Sequence, residues 1–167
     1  MKFETIKKIV KKVLVETWGA TEKQADEAII NVAETELGAF EKKFTEEIGI
    51  PNWEESLSIE GWTLGDHEFS IDIQQDRGYF FVFFHFGSCC LDVEKANEAM
   101  AEYAECELYV LLPIENAVDG EEDCLMLSRH FPANSEQELY DALNSIFEAF
   151  CDEKNADLLY NMVQYFE

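Results

Sequence analysis

Hydrophobic positions recur along this chain with two different periods, and the switch between them marks the expected elements. Phe3, Ile6, Ile9, Val10, Val13 and Leu14 fall at helical spacing, with Lys7, Lys8, Lys11 and Lys12 on the other side; this predicts a helix over about residues 3–17. Gly19 is placed to stop it. Thr21 and Gln24 have capping-box spacing, and Ala25, Ala28, Ile29, Val32 and Ala33 carry a helical stripe on to about residue 38. A short helical piece is expected at 40–48, ending before Pro51, which biases Ile50 toward extended backbone.

Beyond residue 56 the period falls to two. Residues 57–64 read as a weak strand, and Gly65-Asp66 is a two-residue hairpin signal. In 67–74, Phe69, Ile71 and Ile73 alternate with Ser70, Asp72 and Gln74, which predicts one dry and one wet face. Asp76-Arg77-Gly78 turns the chain into "YFFVFFHF", residues 79–86. Here Phe80, Val82, Phe84 and Phe86 share one face, and Tyr79, Phe81, Phe83 and His85 share the other. Asp92 can cap a helix over 93–104. Residues 106–113 form another strand that is apolar on both faces, with Leu108, Val110 and Leu112 opposing Tyr109 and Leu111. Residues 123–131 pair back on it. Ser135 and Glu138 make a second capping box for a helix to about 151, and a last helix covers about 154–166.

The order is helices, three strands, a helix, two strands and helices. Short turns between strands make antiparallel hairpins, so the expected class is α+β, an antiparallel sheet of about five strands packed with helices. A helical region at 1–50 precedes an α+β domain at 51–167, the two forming one compact unit. The two strands that are apolar on both faces are expected toward the middle of the sheet. Their second face is covered either by this chain's own helices or by another polypeptide, because a row of aromatics left in water would cost several kcal/mol at about 2 kcal/mol per phenylalanine. Tyr79, Phe81, Phe83, Tyr109 and Leu111 are thus the candidate partner-binding residues.

Charge narrows the choice of partner. The chain of 167 residues carries a formal charge of -24; residues 1–12 hold five lysines and one glutamate, and the remainder stands at -28. Such a surface repels nucleic acid and anionic lipid; it would attract a basic protein, or simply keep the protein apart from others of its kind. The lysines of the first helix are expected to face the acidic body rather than a membrane. No apolar run reaches the roughly 18–20 residues of a membrane helix. The lysines interleaved in "KIVKKVLVE" break any secretion signal, so a cytoplasmic protein is expected. Five cysteines, an odd number with no C-x-x-C, read as reduced, mostly buried thiols rather than a disulfide framework.

Conventional chemistry is thin. His85 lies near Cys89 and Cys90, with His67 and His130 elsewhere, but the spacing fits no familiar zinc pattern. "DGEED" at 119–123 has His130 where a calcium loop wants its twelfth-place glutamate. Neither P-loop, G-x-S-x-G nor G-x-G-x-x-G is present. No metal, cofactor or catalytic residue is assigned.

One stretch carries a resemblance: "YFFVFFHFGSCCLDVEKANEAMAEYAECELYVLLPIENAVDGEEDCLMLSRHFPANSEQELYDALNSIFEAF", in which a strand leads to a helix containing Asn97, then a hairpin, then a capped helix. With the strands before it, this order resembles the YbjN and type III secretion chaperone-like superfamily over residues 57–151. The resemblance implies a small acidic cytoplasmic protein, regulatory or chaperone-like, with the secretion chaperones dimerising and gripping extended segments of partners. The N-terminal helical region of about 50 residues departs from the family's single helix. The expectation is therefore a non-enzymatic, homodimeric protein-binding module that uses an apolar sheet face. The alternative is an acidic inhibitor, such as an immunity protein or nucleic-acid mimic, that neutralises a basic partner through surface carboxylates.

Overall fold

A computed structural model of the chain describes residues 1–32, 56–86, 92–103, 107–111 and 124–165. It belongs to the α+β class. Five helices are described: α1 (Phe3–Trp18), α2 (Glu22–Ala28), α3 (Val93–Met100), α4 (Glu136–Cys151) and α5 (Glu153–Val163). Six strands are described: β1 (Ile29–Val32), β2 (Ser56–Leu64), β3 (His67–Asp76), β4 (Tyr79–His85), β5 (Glu107–Leu111) and β6 (Cys124–Pro132). They form one sheet in the order β1-β2-β3-β4-β6-β5, and every pairing is antiparallel.

Five strands stand where the alternation predicts them; β1 does not. The helix expected from residue 21 to 38 ends at Ala28, and the chain continues directly as strand. Ile29, Ile30 and Val32 are β-branched and stiff at χ1, which disfavours helix and suits a pleated surface. Ala25 and Ile29 look inward in either conformation, so spacing alone did not separate the two. The sheet resolves it by pairing Ile29 with Ile59. The helical piece expected at 40–48 lies outside the described residues.

A second correction concerns β5, expected near the middle. It pairs only with β6 among the described residues and sits at the end of the strand order. The chain leaves β4 through α3, forms β5 one strand position beyond, and returns as β6 into the gap. Strand β4 is interior as expected, between β3 and β6.

Local signals explain the helix ends. Gly19 takes a left-handed conformation at φ 69° and closes α1. Thr21 and Gln24 complete the expected capping box on α2. The Ser135 hydroxyl accepts from the Glu138 N–H, but the Glu138 carboxylate reaches one residue further back and accepts from the Asn134 N–H. At Arg77-Gly78 both residues have positive φ, 50° and 85°, the geometry of a tight hairpin turn matched to strand twist.

The core lies on one face of the sheet. Leu57, Ile59, Ile71, Ile73, Phe80, Val82, Phe84 and Phe131 point into a single buried cluster. Every described helix feeds it: Val10, Val13 and Leu14 from α1, Ala25 from α2, Ala96 and Met100 from α3, Leu143 and Phe147 from α4, and Leu159 and Met162 from α5. Trp18 anchors the end of α1, stacked on Phe147 at 4.6 Å with its indole N–H donating to the Phe147 carbonyl at 2.9 Å. A half-buried indole thus keeps its hydrogen bond.

Candidate functional site

The second face of the sheet can be built from the register. Tyr79, Phe81, Phe83 and His85 alternate with the core residues of β4. Phe83 stands between Asp72 on β3 and Ser128 on β6, Phe81 between Gln74 and His130, and His85 between Ser70 and Met126. On β5, Tyr109 is in line with Met126, and Leu111 with Cys124. The five candidate residues therefore occupy positions on one face. For Tyr109 and Leu111 this is a statement of backbone register only.

Burial grades along β4. Tyr79 is 49% exposed, Phe81 is half-buried, and Phe83 is only 2% exposed, yet Phe83 does not belong to the helix-covered core. A ladder of rings runs along the face: Phe81 to Phe83 at 6.5 Å, Phe83 to His85 at 6.4 Å, and Phe81 across to the exposed His130 ring at 6.1 Å. The solvent-open part of this face is the Tyr79, Phe81 and His130 end. Phe83 lies beneath solvent reach.

The polar half of this face departs from the alternation. Ser70, Asp72 and Gln74 were expected on a wet face, but Gln74 is 2% exposed and Ser58 on β2 is 4% exposed. Among the described residues neither polar atom of the Gln74 amide has a hydrogen-bond partner. The His85 Nε2 lies 2.8 Å from Asp72 Oδ2, close enough for an ion pair when the imidazole is protonated, but without the alignment of a hydrogen bond. The period-two pattern names which residues share a face; it carries no information about how deeply that face is covered. Gln74 and Ser58 were missed for that reason.

The histidines do not converge. His67 directs Nε2 to the Phe86 carbonyl, His85 meets Asp72, and His130 stacks on Phe81. Among the described residues no group of three His, Cys, Asp or Glu could hold a metal ion. Cys89, Cys90 and the acidic segment 119–123 lie outside the described residues. Cys151 at the end of α4 is exposed, against the burial expected of the cysteines, although desolvation still pushes its thiol up.

Two other features were weighed. A cavity of about 240 Å³ lies between α2 and the bulge of β2, lined by Gln24, Glu27, Ala28, Glu60, Gly61 and Trp62, away from the aromatic ladder. The lysine side of α1 is partly spent within the chain: Lys11 pairs with Asp26 at 3.0 Å and Lys12 lies over the Tyr140 ring at 4.6 Å. The Tyr140 hydroxyl donates to Glu16, which raises its pKa above the usual tyrosine value. The apolar side of α1 is buried in the core, so it cannot enter a bilayer. Among the described residues no helix is long and apolar enough to cross a membrane.

Comparison with known proteins adds no relative: no family model, curated protein or solved structure matches the chain.

Proposed function

We propose that this protein is a non-enzymatic, homodimeric protein-binding module, regulatory or chaperone-like, that engages its partner through the second sheet face. The observation that carries the reading is the aromatic end of the second face, which stays open to solvent beyond the part where Phe83, Gln74 and Ser58 are already buried. All five described helices pack on the face of Phe80, Val82 and Phe84, while Tyr79, Phe81 and His130 stand at the other face with their rings partly in water. A stable interface buries about 1,200–2,000 Å² in total, so these rings would be its anchor, not its whole extent.

The test is sedimentation of the purified protein over a range of concentrations, for wild type, Tyr79→Asp and Phe81→Asp. The expected result is a wild-type dimer and monomeric variants with far-ultraviolet circular dichroism unchanged. Tyr79→Asp is the cleaner variant, because that side chain is half in solvent already. A wild-type monomer at every concentration overturns the dimer; variants that stay dimeric place the contact elsewhere.

A second reading, a neutraliser of a basic protein, rests on the charge of -28 over residues 13–167. Exposed charges are screened beyond about 8–10 Å at physiological salt, so such a complex must weaken steeply as salt rises. A complex that is indifferent to salt and lost in Phe81→Asp favours the sheet face; the opposite pattern favours the carboxylates.

A further inference from the structure

We draw no further inference here: the strongest candidate, the buried Gln74 amide that lacks a hydrogen-bond partner among the described residues in the middle of the second sheet face, belongs to the face already described, and nothing in the structure shows what covers it.

Discussion

Gln74 offers the most direct test of how the second face is built. Its side chain is 2% exposed, and among the described residues neither the carbonyl oxygen nor the amide nitrogen is hydrogen-bonded. A buried polar group left unpaired costs about 1–3 kcal/mol relative to one that is paired or hydrated. Methionine has a similar length and no branching, fills irregular space, and carries neither orphan group. Gln74→Met should therefore stabilise the protein by about 1–3 kcal/mol. For a chain of this size each kcal/mol is worth about 2–4 °C, so the midpoint should rise by about 2–12 °C. Urea unfolding followed by tryptophan fluorescence gives an independent reading. With a slope of about 2 kcal/mol per molar, the midpoint should move up by about 0.5–1.5 M with the slope unchanged. Gln74→Glu is the control; it places a charge in the same enclosed position and should destabilise. If Gln74→Met melts below wild type, the amide is bonded in the folded protein and the account of this face is wrong.

Other outcomes follow from single positions. Gly65 has φ +63°, and a Cβ there would meet Tyr160 Cε1 of α5 at 2.9 Å. Gly65→Ala should therefore cost about 1–3 kcal/mol in chemical denaturation, and pairing it with Tyr160→Ala should recover only the part due to contact. Asp92 caps α3 and holds Lys95 at 2.9 Å; the hydrogen bonds from Lys95 keep its carboxyl below the usual aspartate value. Its contribution is present above the unfolded-state pKa and is lost as pH falls through the lower folded value. An NMR titration should therefore find the Asp92 carboxyl among the last to protonate, and Lys95→Ala should move it back up. The Cys151 thiol, raised by burial, should alkylate more slowly than a free thiol at neutral pH, with a rate that climbs as pH rises; peptide-level mass spectrometry reads this site alone. A Cys151 that reacts as fast as free cysteine would contradict the raised thiol.

The chain's own pattern determined the fold class and most of its elements. Helix starts at Thr21, Asp92 and Ser135 were legible because a capping side chain satisfies a local backbone N–H, and local bonds leave local signatures. The face shared by Tyr79, Phe81 and Phe83 was equally legible, because strand geometry sends alternate side chains to opposite sides whatever surrounds them. What tertiary structure alone decided was everything set by contacts distant in sequence. Ile29 and Ile30 became strand because Ile59 and Ser58 offered them a sheet edge, although their spacing also suits a helix. The strand of Tyr109 went to the end of the sheet because β6 took the place beside β4. Gln74, polar and in step with Ser70 and Asp72, was drawn out of water with Phe83. Periodicity fixes the direction of a side chain; only the assembled layers fix what lies over it.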